Sequence, residues 1–169
     1  GGPHSLTCGG SLLGGARIRQ GALLDRIWPL CVPMGGNGAW AGAPIAPPGL
    51  AMGGKGGGGP YDLVCPPNFY VHSINVRVDS GAGSGGAVRT LTLYCKDSSA
   101  QQTRVVEAPR KADYDDTGDG VACPQGFFAN GINGASGQVV DRLGLHCIKS
   151  PLAAPVGPAI KRLGRPKIG

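Results

Sequence analysis

The sequence is poor in the residues that build helices, membrane spans and aromatic stacking surfaces. Glu107 is its only glutamate, and aromatic residues make up 5% of the chain, against 32 glycines and 15 prolines. Because glycine and proline are poor helix formers and no apolar stripe of helical period survives more than two turns, we expect almost no helix. No stretch approaches the roughly 20 apolar residues of a membrane-spanning helix, so we expect no membrane insertion.

Signatures of catalysis and of cofactor binding are also incomplete. No serine lies in a Gly-x-Ser-x-Gly motif, and no serine, histidine and acid recur together at a useful spacing, which argues against a hydrolase. The stretch 81–86 fits the pattern Gly-x-Gly-x-x-Gly, yet a strand is predicted to follow it where a dinucleotide site needs a helix N-terminus. We therefore interpret 81–86 as a hairpin loop, and we expect neither an enzyme nor a cofactor.

The formal net charge of +6 is unevenly distributed along the chain. Four basic residues lie in the last nine positions, which leaves 12 basic and 10 acidic residues in 1–160. Since the body of the chain is nearly neutral, we expect no nucleic-acid partner. For the basic tail we favour a solvated terminal extension over a contact with an acidic surface.

Six cysteines in a short, glycine-rich chain with 15% charged residues are typical of an oxidising compartment. No signal peptide is visible, and the first residues already match the start of a repeat, so we expect the mature form of a secreted, extracellular protein. Because no Asn-x-Ser/Thr sequon occurs, N-glycosylation is not expected.

One segment recurs three times along the chain. The stretch 58–65 repeats the pattern of 1–8, and the Cys-Pro pairs at Cys65 and Cys123 are each followed at the same offset by Ile-Asn. A period of roughly 50 residues is typical of pseudo-symmetric architectures, in which one block cannot bury its apolar face alone. The predicted organisation is a single domain, 1–150, with repeats at 1–33 (followed by a Gly/Pro-rich linker, 34–57), 58–108 and 109–150, and then a basic Pro/Gly-rich tail, 151–169.

Apolar and polar residues alternate within every repeat, which predicts strands. Leu91, Leu93 and Cys95 share one face of such a run, and the run that ends at Cys147 repeats this parity. The first repeat has Pro29 in the corresponding run, and because proline cannot donate to a ladder we expect an edge or a bend there. The predicted fold class is all-β, with three antiparallel repeats in a pseudo-threefold arrangement.

The internal symmetry favours one disulfide in each repeat. Sequence alone permits fifteen pairings of six cysteines, and the symmetric choice joins the two cysteines of each repeat. Each bridge would close a loop of a few tens of residues and contribute on the order of 3–4 kcal/mol. A zinc site is the alternative, but no Cys-x-x-Cys pair exists and the three histidines are scattered, so we favour disulfides. The predicted bridges are Cys8–Cys31, Cys65–Cys95 and Cys123–Cys147.

One acidic stretch resembles the opening of a calcium-binding loop. Asp115, Thr117 and Asp119 stand at alternate positions and offer the oxygen ligands that Ca²⁺ prefers. The twelfth position is Gly126 rather than a bidentate glutamate, and no helix is predicted on either side. We favour an Asp/Gly-rich turn and expect no metal site.

The sharpest candidate for a binding site is a Gly-x-x-x-Asp motif present in two repeats. Gly21 and Asp25 form one copy, and Gly137 and Asp141 form the other, whereas the second repeat has Arg89 in place of the aspartate. The glycine permits a tight turn with exposed backbone amides, and the aspartate is able to accept hydrogen bonds from two adjacent sugar hydroxyls. The alternative is a hairpin turn whose aspartate satisfies local N–H groups.

Three stretches of the chain resemble the jacalin-related lectin family. They are Gly53-Gly54-Lys55-Gly56-Gly57, Ile74-Asn75-Val76-Arg77, and 137–145, in which Gly-x-x-x-Asp leads into an alternating apolar strand. The resemblance covers the body of the chain and implies a β-prism, in which three Greek-key sheets surround a pseudo-threefold axis; the chain is then a divergent, disulfide-containing member.

The resemblance also implies where a sugar would bind. In that family the Gly-x-x-x-Asp loop and a glycine-rich loop contact the sugar. This role carries over to Gly137 and Asp141, and by internal repetition to Gly21 and Asp25. The second repeat, with Arg89, is expected to have no working site.

Two functions follow from these patterns. The first is a secreted, non-enzymatic carbohydrate-binding module whose partners are glycans. The alternative is a structural subunit of an extracellular filament, sheath or coat that self-assembles into a homo-oligomer or polymer through its Gly/Pro-rich segments and C-terminal tail. Its motivation is that 34–57 and 151–169 should be disordered in an isolated monomer and ordered against a neighbouring subunit. The two functions are compatible, and we favour carbohydrate binding because named residues support it.

Overall fold

All regular structure in the computed structural model, which describes residues 2–79, 86–109 and 117–152, is β-strand. The all-β prediction is therefore confirmed, and the described residues contain no helix that is long and apolar enough to cross a membrane. The strands are β1 (Gly2–Thr7), β2 (Leu12–Gln20), β3 (Leu24–Val32), β4 (Met52–Gly53), β5 (Gly58–Val64), β6 (Phe69–Val78), β7 (Val88–Asp97), β8 (Thr103–Glu107), β9 (Thr117–Ala122), β10 (Phe127–Ser136) and β11 (Val140–Lys149).

The strands form three antiparallel sheets that follow one pattern. Two sheets have four strands, in the orders β4-β3-β2-β5 and β8-β7-β6-β9, and the third has the order β1-β10-β11. The hairpins β2–β3, β6–β7 and β10–β11 occupy equivalent places, and so do their neighbours β5, β9 and β1. The predicted pseudo-threefold arrangement of three repeats is thus confirmed.

Each repeat lends its first strand to the sheet of the repeat before it. β5 opens the second repeat and pairs with β2, β9 opens the third and pairs with β6, and β1 pairs with β10. The last of these pairings joins the first repeat to the third, so the exchange closes a ring. The alternation of the sequence did not predict this exchange, because it determines which face of a strand is buried and not which strand lies beside it.

The apolar residues of the alternating runs line the centre of this ring. Ile18, Ile74 and Ile132, one from each hairpin, are at most 4% exposed and belong to one cluster drawn from all three sheets. On one side of β3, Pro29 pairs with Ala16 of β2. On the other side, β4 pairs with β3 only at Arg26 and Ile27, near the start of β3. A residue without an N–H group fits such a position.

The three disulfides join the sheets to one another. The bridges Cys8–Cys31, Cys65–Cys95 and Cys123–Cys147 are all formed, as the repeat symmetry predicted. In each bridge the first cysteine directly follows a lent strand, and the second lies in the hairpin of its own repeat. Every bridge therefore ties a lent strand back to its own repeat and connects two neighbouring sheets.

The Gly/Pro-rich stretch 34–57 differs from the expectation of disorder in an isolated chain. Trp40 Nε1 donates to the carbonyl of Phe69 at 2.9 Å, and Tyr70 Oη donates to the carbonyl of Gly38 at 2.9 Å. Tyr70 is fully buried, and burial raises its pKa to about 12. Residues 38–40 of the stretch are thus held against the second repeat of their own chain, a contact of the kind that a neighbouring subunit was expected to supply.

Candidate functional site

The two Gly-x-x-x-Asp motifs form the hairpin turns between β2 and β3 and between β10 and β11. In each turn the glycine N–H donates to the carbonyl two residues on, from Gly21 to Leu23 at 3.0 Å and from Gly137 to Val139 at 3.1 Å. In the first turn the Gly21 N–H also lies 3.1 Å from Oδ2 of Asp25. This is the local bond that the hairpin alternative predicts, but it uses only part of the acceptor capacity of the carboxylate.

Both aspartates stand at β-bulges immediately after their turns. The β2–β3 register steps over Asp25, and the β10–β11 register steps over Asp141. The β6–β7 register steps over Arg89 in the same way, as the comparison of the repeats predicted. Because a bulge takes its extra residue out of the ladder and re-aims the side chain, the three repeats present this position alike.

A glycine-rich loop, residues 53–57 and hereafter the glycine loop, lies between the two turns. Gly57 adopts a φ of 77°, and a Cβ there would stand 2.3 Å from Oδ2 of Asp25. On the other side, a Cβ on Gly54 would stand 2.3 Å from the carbonyl oxygen of Gln138, in the turn of the third repeat. Only glycine permits such close approaches. The glycine loop therefore joins the two turns into one continuous surface.

Two arginines of the first sheet hold the glycine loop. Arg19 donates from Nε and Nη2 to the carbonyls of Gly56 and Gly57, each at 3.1 Å. Arg26 donates from Nη1 to the carbonyl of Gly53 at 2.9 Å. The sequence reasoning missed both arginines, whose only signal was that they flank the first Gly-x-x-x-Asp motif.

An ion pair stands at the equivalent positions of the second repeat. Asp79 takes the glycine position, where its N–H donates to the carbonyl of Ala87 at 2.8 Å. Nη2 of Arg89 lies 3.0 Å from Oδ1 of Asp79, and both side chains are less than one-fifth exposed. Nη1 of Arg89 donates to the carbonyl of Ala22, in the turn of the first repeat, at 3.0 Å. A cation thus stands where the other repeats have an acceptor.

The remaining sequence motifs fall partly outside the described residues. Thr117 and Asp119 belong to β9, which pairs with β6, so an extended strand replaces the turn that we favoured there; Asp115 lies outside the described residues. In the part of the chain that the structure describes, no three His, Cys, Asp or Glu side chains gather where they would hold a metal ion. Residues 81–85 also lie outside it, and Gly86 leads towards strand β7 rather than a helix.

Comparison with solved structures identifies proteins of the same architecture. A Malaysian banana lectin superposes with a TM-score of 0.60 at 19% identity, over 88% of this chain and 91% of that one. Jacalin in complex with melibiose has a TM-score of 0.60 at 12% identity, over 87% and 98% of the two chains. A mannose-binding jacalin-related lectin from Ananas comosus has a TM-score of 0.54 at 19% identity, over 88% and 85%.

The chain has the β-prism fold of the jacalin-related lectins, and it carries three disulfides within that fold. The resemblance identified from the glycine-rich and Gly-x-x-x-Asp stretches is confirmed for the fold. No protein-family model and no curated protein matches the sequence.

Proposed function

We propose that this protein is a secreted, non-enzymatic carbohydrate-binding module. Its site comprises the turn from Gly21 to Asp25, the turn from Gly137 to Asp141, and the glycine loop between them. The observation that carries the proposal is the approach of the glycine loop to Oδ2 of Asp25 on one side and to the third-repeat turn on the other. Solved proteins of this fold include lectins bound to galactosides, which supports the assignment.

The arrangement has the chemistry that a sugar requires. A carboxylate only accepts hydrogen bonds, so Asp25 is suited to two neighbouring hydroxyl groups of a pyranose ring. Because the four glycines of the loop carry no side chains, a pyranose ring is able to approach the backbone closely.

The first prediction concerns the two aspartates. Asp25→Asn and Asp141→Asn each retain the shape of the side chain but remove its charge and one acceptor. A hydrogen bond to a charged group contributes about 1.5–3 kcal/mol, so each change should weaken binding at its own turn by at least about tenfold. A glycan array identifies the ligand, and isothermal titration calorimetry measures the affinity and the number of sites.

Asp119→Asn serves as the matched control, because this exposed carboxylate lies on β9 in the second sheet and belongs to neither Gly-x-x-x-Asp turn. The affinity of this control variant for the glycan should equal that of the wild type. The proposal fails if the wild-type chain binds no glycan on the array, or if the double variant of Asp25 and Asp141 binds as tightly as the control.

The alternative function in an extracellular assembly loses part of its motivation. It relied on two Gly/Pro-rich segments that were expected to order only against a second subunit. The stretch 34–57 is instead held by Phe69 and Tyr70 of its own chain. The tail beyond Leu152 lies outside the described residues. We therefore retain carbohydrate binding as the proposal.

A further inference from the structure

Four basic residues gather on and beside the outer face of the first sheet. Arg17 and Arg19 on β2 and Arg26 on β3 alternate with buried residues, so they lie on the face turned away from the core. Lys55, in the glycine loop, adds a fourth positive charge and is exposed. The body of the chain as a whole is close to neutral, with 12 basic against 10 acidic residues in 1–160, so this cluster of four basic residues makes the first sheet locally positive.

The charges of this cluster are compensated unequally. Nε of Arg17 lies 2.7 Å from Oδ1 of Asp62, and the hydrogen bond to that carboxylate raises the pKa of Arg17. Among the residues that the structure describes, neither Arg19 nor Arg26 has a carboxylate within ion-pair distance. Arg19 and Arg26 nevertheless stand directly opposite each other in the β2–β3 ladder, an arrangement in which like charges destabilise a sheet.

The two unpaired arginines keep donors free for a ligand. Their hydrogen bonds go to carbonyls of the glycine loop, and the guanidinium group has further N–H groups beyond those used. A planar guanidinium binds sulfate and carboxylate groups through two parallel hydrogen bonds. An anion between Arg19 and Arg26 would also relieve the repulsion between them.

An aromatic ring adjoins these cations. Trp28 lies opposite Arg17 in the ladder and is partly exposed. Cζ of Arg26 lies 5.2 Å from the centroid of the Trp28 ring. Such a ring offers an apolar face to the carbon side of a sugar while the neighbouring cations meet its charged substituents.

We propose that the outer face of the first sheet binds an anionic polysaccharide. A sulfate or carboxylate group meets Arg19 and Arg26, and a neighbouring sugar ring lies at the turn that contains Asp25. The inference rests on the proposed function, because that turn supplies the sugar contact. It defines the substrate class of the first-repeat site as an acidic glycan chain rather than a neutral one.

The test measures binding of dextran, dextran sulfate and polygalacturonate to the full chain by isothermal titration calorimetry at low and high salt. Dextran and its sulfate share one backbone, so their difference reports the anionic group, and polygalacturonate shows whether a carboxylate suffices. We expect both anionic polymers to bind, with affinity falling as salt screens the charges.

The double variant Arg19→Gln, Arg26→Gln should bind the anionic polymers at least about tenfold more weakly than the wild type, because charge-assisted hydrogen bonds are stronger than neutral ones. The corresponding double lysine variant, which keeps the charge, should lose less of this affinity.

Two controls separate this face from other basic residues. Arg104→Gln removes an arginine of another sheet, whose Cζ lies 5.3 Å from the Phe69 ring, and it should bind as the wild type does. A second variant replaces the basic residues of the tail, Lys161, Arg162, Arg165 and Lys167, with glutamine. The proposal is overturned if this tail variant loses the affinity while the Arg19, Arg26 double glutamine variant keeps it. It is also overturned if polyadenylate binds as tightly as dextran sulfate.

The two proposals fail in different ways. If the chain binds neutral glycans through its aspartates but binds neither anionic polymer, the anionic surface is refuted and the carbohydrate site stands. If it binds dextran sulfate through Arg19 and Arg26 and the double variant of Asp25 and Asp141 binds that polymer as tightly as the wild type, the proposed site at the turns is refuted while the arginine surface is supported.

Discussion

His72 occupies a bulge in β6 where the first and third repeats have Gly14 and Asn130. In each hairpin the strand register skips the residue at this position, which directly follows the residue paired with the second cysteine of the repeat. The His72 ring packs edge-on against Phe128, with centroids 6.0 Å apart. Burial lowers the pKa of His72, and the charge of Lys96 lowers it further. One repeat thus carries a titratable group at a position where the others have none.

The lowered pKa predicts how stability depends on pH. In the unfolded chain His72 titrates near its ordinary value of 6.5, so below that pH the unfolded state binds the proton more readily. The contribution of His72 to the free energy of unfolding is therefore complete above pH 6.5, and it is lost as the pH falls towards the lower pKa of the folded state. We expect the free energy of unfolding to fall less between pH 8 and pH 5 in His72→Gln than in the wild type, as measured by urea denaturation.

The exposed His4 supplies the control for this measurement, since carboxylate titrations are common to every variant. His4→Gln removes an exposed histidine of β1 and leaves the surroundings of His72 unchanged. If the free energy of unfolding depends on pH equally in the two histidine variants, the lowered pKa of His72 does not contribute to the pH dependence.

Asp25 illustrates a residue whose identity the sequence predicted and whose surroundings it did not. The recurrence of Gly-x-x-x-Asp marked Asp25 and Asp141 as a pair, because equivalent positions of a repeat share a backbone conformation. The contacts of Asp25 with the glycine loop join residues that are about thirty positions apart in the chain. The order of residues contains no simple signal for such contacts.

Among the larger elements, the stretch 34–57 departs most from expectation. Its composition predicts disorder in isolation, and composition alone cannot identify the anchors that hold it. The hydroxyl of Tyr70, which is 0% exposed, donates to the carbonyl of Gly38, and Trp40 donates to the second repeat. These hydrogen bonds supply part of the free energy that offsets the entropy of ordering a glycine-rich segment.

This anchoring predicts the effect of removing a single hydroxyl. Tyr70→Phe leaves the carbonyl of Gly38 without its donor in a buried place, at a cost of about 1–3 kcal/mol. Guanidinium denaturation should show this loss. Proteolysis within 34–57 should also become faster if the stretch is released. Tyr61→Phe, at an exposed position of β5, should change neither measurement.

The hairpin of the second repeat differs from the other two because it has no Gly-x-x-x-Asp turn. Part of this difference was predictable from the sequence. The sequence placed Arg89 at the aspartate position, and the bulge register agrees. It did not reveal Asp79 as the partner of Arg89, nor the bond from Arg89 to Ala22 in another repeat. The hairpin without the motif therefore contacts the turn of a hairpin that has it.

Across the whole molecule, the disulfides and the lent strands form one closed system. Each bridge connects two sheets, and the three bridges together connect all three in a ring. The sequence separations of 23, 30 and 24 residues are similar, so the chain-entropy model assigns the three bridges similar effects.

Removing one bridge should therefore cost about 3 kcal/mol whichever repeat is chosen. The variants replace both cysteines of a bridge with alanine, and guanidinium denaturation measures the free energy of unfolding. Since every bridge closes the same kind of link, the three double variants should agree within about 1 kcal/mol. A bridge whose loss has no effect would show that its lent strand is held by pairing alone.

Taken alone, the sequence determined the features that repeat locally. Alternation within each repeat set the strands and their buried faces, and the threefold recurrence selected one disulfide pairing from fifteen. It also identified the equivalence of Asp25, Asp141 and Arg89. These properties depend on neighbours along the chain, so the order of residues is sufficient to show them.

The tertiary structure decided which repeats meet. The exchange of first strands, the place of the glycine loop between two turns, and the support of that loop by Arg19 and Arg26 all join segments from different places in the sequence. Such contacts arise only when the three sheets close around a common core, because closure brings the loops of separate repeats to one end of the prism. The candidate site is therefore a property of the closed ring rather than of any single repeat.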